Sequence, residues 1–240
     1  MSDRPILFSA PMVRALLAGA KTQTRRVLKP QPPTECSIRY MLGNESWLPA
    51  DERTPLRHHW EAWGGPLYQQ RPEKALAGYF EVRMRYAPGD RLWVRESGVQ
   101  LGNAVDGGGG RDGYEPCGFQ YAADDATIYL PGMFEGHDYE RRRNSIHMPR
   151  WASRLTLTVT DVRVERLQDL GEADALAEGC ALECMTPTGD DSGSAIWGPG
   201  GFVALWESIN GPGSWEANPW VAAYTFTVAH HNIDNPTGAS

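Results

Sequence analysis

The clearest alternation of apolar and polar positions runs from Arg154 to Val164. Leu155, Leu157 and Val159 fall on one face, and Thr156, Thr158 and Thr160 on the other. A period of two predicts a half-buried strand. Residues 78–86 repeat it, with Phe80, Val82, Met84 and Tyr86 opposite Glu81, Arg83 and Arg85. Pro88-Gly89-Asp90 is a turn, and Arg91 to Glu96 a further strand, so the two predict a strand–turn–strand unit. Thr22 to Leu28 is β-prone and stopped by Lys29-Pro30 and Pro32-Pro33, and Trp220 to Val228 predicts a last strand. Helical spacing occurs three times. Ser9 to Gly19 places Met12, Leu16 and Ala15 on one side, with Ser9 as N-cap, Pro11 in the first turn and Gly19 as stop. Leu170 to Gly179 has Ala173, Leu176 and Ala177 on its apolar side, and Phe202 to Ile209 has Phe202, Leu205, Trp206 and Ile209.

The order is helix, strand, two paired strands, long strand, two helices, strand. That is α+β rather than repeated βαβ, and it suits a small, partly closed β-barrel flanked by helices. Two intervals carry no sustained period, 31–77 and 98–145, and read as loop-rich insertions. The second contains the glycine run Gly107–Gly110. One domain over 1–229 is expected, with a disordered tail over 230–240.

With 240 residues, 41% of them hydrophobic, the chain can bury a sizeable core. A net charge of −7 argues against a protein that wraps long nucleic acid, because such affinity comes from phosphate neutralisation. A nucleotide or a short segment remains compatible with a local basic patch. The cysteines, Cys36, Cys117, Cys180 and Cys184, show neither Cys-x-x-Cys nor zinc-ligand spacing. The amino terminus has no signal-peptide apolar run, and no stretch approaches the roughly 20 apolar residues that span a membrane. Reduced thiols in a cytoplasm, no metal and no cofactor are the expectation.

Candidate chemistry concentrates in Gly19-Ala-Lys21-Thr-Gln-Thr24-Arg25-Arg26, where three cations and two hydroxyl-bearing threonines follow a glycine turn. Backbone amides at such a turn, with Lys and Arg donors, suit an anion or nucleotide. Arg141, Arg142 and Arg143 form the strongest basic run, solvated charge or a phosphate contact.

Gly-x-Lys-x-x-x-x-Arg after a short amino-terminal helix resembles the signature of ASCH domains, small β-barrels similar to the PUA fold. Gly19, Lys21 and Arg26 occupy its fixed positions. Pro88 to Glu96 resembles the family's Pro-Gly-Asp turn and barrel strand, and Thr160 to Gly179 its strand-to-helix segment. The match covers roughly residues 4–30, 78–97 and 145–228, and the whole chain is similar to ASCH proteins of phages and prophages. The resemblance implies a pyrimidine nucleoside, nucleotide or short RNA as ligand. One small bacterial branch hydrolyses the amide of N4-acetylcytidine with a Lys, a Thr three residues later and a Glu from the later helix. Lys21, Thr24 and Glu178 match that set, and Gly19, Arg25, Arg26, Trp93 and Glu96 complete the implied binding residues. A non-catalytic RNA-binding module and a ribonuclease are the rival readings.

Amide hydrolysis needs a nucleophile, a proton shuttle and oxyanion stabilisation. Thr24 supplies a hydroxyl. Lys21 acts as base only when neutral, which from a reference value of about 10.4 costs about 4 kcal/mol near neutral pH. Burial and the charges of Arg25 or Arg26 push that way, while an ionised Glu178 beside Lys21 pushes the other way. A cationic Lys21 would instead stabilise the oxyanion. Residues three apart on a regular strand face opposite sides, so the set also requires Lys21 to lie in the turn before the strand.

Overall fold

The structure, a computed structural model, describes residues 2–32, 36–41, 59–64, 80–82, 84–104, 114–133, 136–180 and 201–235. The fold is mixed α+β. Strand β1 (Asp3–Leu7) leads into helix α1 (Ala10–Leu17) and strands β2 (Gln23–Val27), β3 (Cys36–Met41), β4 (His59–Gly64) and β5 (Phe80–Val82). Then come β6 (Arg91–Arg95), β7 (Gly98–Ala104), β8 (Tyr114–Tyr121), β9 (Thr127–Tyr129) and β10 (Tyr139–Arg143). The long strand β11 (Thr156–Arg166), helices α2 (Glu172–Ala177) and α3 (Phe202–Asn210), and strand β12 (Trp220–Ala229) complete the order.

Strand order is β1-β6-β11-β12-β2 in one sheet, β10-β7-β8-β9 in a second and β3-β4-β5 in a third. The chain divides into two compact units, the first over Met1–Thr22, Pro88–Thr160 and Phe226–Ser240, the second over Gln23–Ala87 and Asp161–Thr225.

In the first unit β1 runs parallel to β6, Pro5 opposite Trp93, and β6 pairs antiparallel with the start of β11. Proline lacks a donor and is tolerated on β1 because this strand ends its sheet. Helix α1 buries Val13 and Leu16 completely, so its inward stripe is centred on Val13 rather than on Met12 and Ala15. Ser9 stands at the N-cap in extended conformation but makes no side-chain cap. The interval 98–145, expected to be loop-rich, instead holds the four-stranded sheet. Phe119 and Tyr121 of β8 pack there with Met148 and Ala152 in a buried cluster. Gly107–Gly110 lie outside the described residues. The tail expected to be disordered from His230 is ordered to Asn235. Ile233 is buried, and the Asn232 amide donates to the carbonyls of Arg150, Trp151 and Ser153.

In the second unit β2 pairs antiparallel with β12, Thr24 opposite Tyr224. Strands β3, β4 and β5 pair in sequence, so the interval 31–77, expected to be a loop-rich insertion, contributes β3 and β4, while β5 falls in the expected strand over 78–86. The expected strand–turn–strand unit does not form as such, because β5 pairs with β4, and β6 with β1 and β11. The core gathers Leu167, Leu170, Ala175, Phe202, Trp206 and Val221. Helix α2 therefore turns Ala175 inward, not Ala173, and Ile209 of α3 stays half exposed. Among the described residues no helix is long and apolar enough to cross a membrane.

Candidate functional site

In the first unit the end of α1 determines where Lys21 sits. Leu17 is the last helical residue, Ala18 remains right-handed, and Gly19 turns left-handed at φ 70°. The Gly19 amide donates to the Leu16 carbonyl at 3.0 Å and the Ala20 amide to the Ala15 carbonyl at 2.9 Å. These two bonds are a Schellman motif, which satisfies carbonyls the helix would leave orphaned. The Lys21 amide adds a third bond to the Ala15 carbonyl at 3.1 Å. No atom would obstruct a Cβ at Gly19, so glycine is needed there for its dihedral alone.

Lys21 precedes β2, which begins at Gln23, so strand alternation does not govern its direction. Its side chain is fully buried, at 0% exposure, with Nζ 5.6 Å from the centroid of the Phe8 ring. Lysine is almost never enclosed unless it is paired, because desolvating an ammonium is costly.

In the second unit β2 sends adjacent side chains to opposite faces. Thr24 is 2% exposed and lies across from Tyr224. The Tyr224 hydroxyl accepts from the Arg85 amide, and its ring meets that of Tyr86 edge-on at 5.2 Å. Burial pushes the Tyr224 phenol above its ordinary value. Arg26 follows two residues after Thr24, partly buried. Burial lowers its guanidinium pKa, opposed by the phenols of Tyr86 and Tyr224 and the carboxylate of Glu178.

Arg25 faces the other way, into a nest of three carboxylates. Its Nη2 is 2.7 Å from Glu165 and 3.2 Å from Asp174, and its Nη1 is 3.2 Å from Glu178. Gln23, also two residues away, accepts from Nη1 at 3.3 Å. Arg163 joins from β11, donating to Asp174 at 3.0 Å. Burial works against the Asp174 carboxylate, but the Arg163 hydrogen bond and the Arg25 charge outweigh it and hold its pKa below the usual value. Glu178 is therefore a buried carboxylate fixed by a buried guanidinium.

The remaining expected binding residues, Trp93 and Glu96, lie in the first unit with partners of their own. Arg95 stacks over the Trp93 ring, 5.0 Å from its centroid. Glu96 is 1% exposed and both its carboxylate oxygens accept from Arg154 at 2.9 Å. Burial raises the Glu96 pKa, opposed by that bidentate contact.

Thus the second unit brings Arg25 to Glu178 and sets Thr24 on the opposite face of β2 from Arg25. Sequence reading missed Glu165, Asp174 and Arg163 as members of this group. Glu165 and Arg163 share one face of β11 at a spacing of two, and Asp174 precedes Glu178 by one helical turn. That spacing was the available signal. No protein-family model matches the chain, and neither a curated protein nor a solved structure matches it.

Proposed function

We propose that the protein is a nucleoside amidohydrolase of the ASCH type, with a PUA-like fold, acting on N4-acylated cytosine. The support is the motif Gly19-x-Lys21-x-x-Thr24-x-Arg26 together with one structural observation, the complete enclosure of Lys21. A surface lysine would need no explanation. An enclosed one, tied by its backbone amide to a capped helix end, suits a reactive group whose charge matters.

The roles follow the resemblance residue by residue. The Thr24 hydroxyl attacks the acyl carbon, the bond to N4 breaks, and the freed cytosine amine takes a proton. Water then releases the carboxylic acid and restores the hydroxyl. Lys21 is the base if neutral and the oxyanion donor if charged. Glu178 handles the proton or orients the substrate. Its contact with Arg25 fits an orienting carboxylate kept in one position.

Incubating the purified protein with N4-acetylcytidine and following the loss of acyl-cytosine absorbance tests the reading. Turnover is expected, abolished in Thr24→Val. No turnover with salt-dependent RNA binding would replace it with a binding module. Cleavage of unmodified RNA that disappears in Lys21→Ala would replace it with a ribonuclease. The pH dependence of kcat separates the two roles of Lys21.

A further inference from the structure

A cleft lies in the first unit, at one end of the four-stranded sheet. It has a volume of about 370 Å³, within the range of small-ligand sites. The start of β7, the end of β8 with its following turn, and the end of β10 line it. Its chemistry comes from Arg142, Arg143, Asn144, Asp125 and Gln120.

The arginines here differ from the ion-paired ones. Arg25, Arg91, Arg150, Arg154 and Arg163 each reach a carboxylate. Among the described residues Arg142 and Arg143 reach none. Arg143 is instead held by a neutral partner, donating from Nε to the Gln100 amide oxygen at 2.8 Å. Gln100 is itself buried at 6% exposure, so it orients the guanidinium without cancelling its charge. The floor is also fixed. A Cβ on Gly98 would lie 2.2 Å from the Gln120 carbonyl oxygen, so glycine lets β7 and β8 approach beneath the cleft.

We propose that this cleft binds the phosphate ester of a nucleotide, with Arg142 and Arg143 on the phosphate. Two guanidinium groups without a carboxylate ion pair among the described residues match the oxygens of a phosphate and repel cations. Asp125, in the same lining, accepts from a sugar hydroxyl or a base amine and disfavours an anion without donors. The phosphate can belong to a free nucleotide or to the end of an RNA strand. The phosphate contact does not depend on the proposed amidase reading, while the choice of cytidine and RNA as probes rests on it.

Calorimetric titration of the intact protein with cytidine 5′-monophosphate and with cytidine tests the first source. A tetranucleotide RNA with and without a 5′-phosphate tests the second. The phosphorylated member of at least one pair should bind about tenfold or more tightly. That preference should vanish in Arg142→Gln/Arg143→Gln and weaken in Arg142→Gln, whose site is exposed. Thermal melting of the same samples verifies the fold. Preference in the first pair identifies a free nucleotide, and preference confined to the second identifies an RNA end. Equal binding within both pairs, or a preference that survives the double substitution in folded protein, overturns the proposal.

Discussion

Arg25 and Arg142 are the same side chain in opposite circumstances. Arg25 is buried on β2, surrounded by Glu165, Asp174 and Glu178, with Arg163 closing the group from β11. Arg142 is exposed on the sheet-ending strand β10 and has no carboxylate partner among the described residues. A guanidinium with its counter-charges already in place holds structure together, because removing it leaves buried carboxylates uncompensated. A guanidinium without them contributes little to folding and stays available to an incoming anion. Charge therefore marks a ligand site only after its internal partners have been counted.

Arg25→Met would break the contrast most severely. It should cost about 3–5 kcal/mol, the loss typical of breaking a buried ion pair. Circular-dichroism melting should show a fall of roughly 10 °C, and an unchanged midpoint would mean that the nest is not structural. Arg25→Lys keeps the charge but loses the planar fork, so about 1–2 kcal/mol should go, read from urea unfolding.

Acid should weaken the nest next. Asp174 has a folded pKa below its ordinary 3.8, so its contribution is fully present above that value and disappears as pH falls through the lower folded one. Melting between pH 5 and pH 2 should show a steeper loss in the native protein than in Asp174→Asn. Equal slopes would remove this carboxylate from the account. The smallest effect belongs to the exposed arginine. Arg142→Gln should leave stability within about 0.5 kcal/mol, and a larger loss would show a structural role for it.

The same contrast explains what the sequence could tell. Strand β11 was legible from its alternation and the helices near Ser9 and Phe202 from their apolar spacing. Strand β12, with Val221 to Tyr224 all buried, was legible only from its β-prone residues, and the six-residue helix α2 was located without its inward residue Ala175. Strand β1 was not, since Pro5 and the charges Asp3 and Arg4 mask five residues whose parallel partner begins at Arg91. Strands β7 and β8 were hidden by glycines and by Gln100, a polar residue at a buried position. Within the site, the glycine turn and the location of Lys21 before β2 were readable from local chemistry. The nest was not: Arg25 precedes Glu165 by 140 residues and Glu178 by 153, and no local pattern encodes contacts at that distance.

The Ala15 carbonyl, which receives the amides of both Ala20 and Lys21, has a consequence for how this chain can vary. Each residue of a helix turns the chain by about 100°. Inserting or deleting one residue within α1 would rotate the whole exit turn and aim Lys21 elsewhere. Helix and lysine are thus a single cassette, open to substitution at most exposed positions but closed to changes of length. Transplanted into another chain, Ala10–Lys21 would have to travel whole.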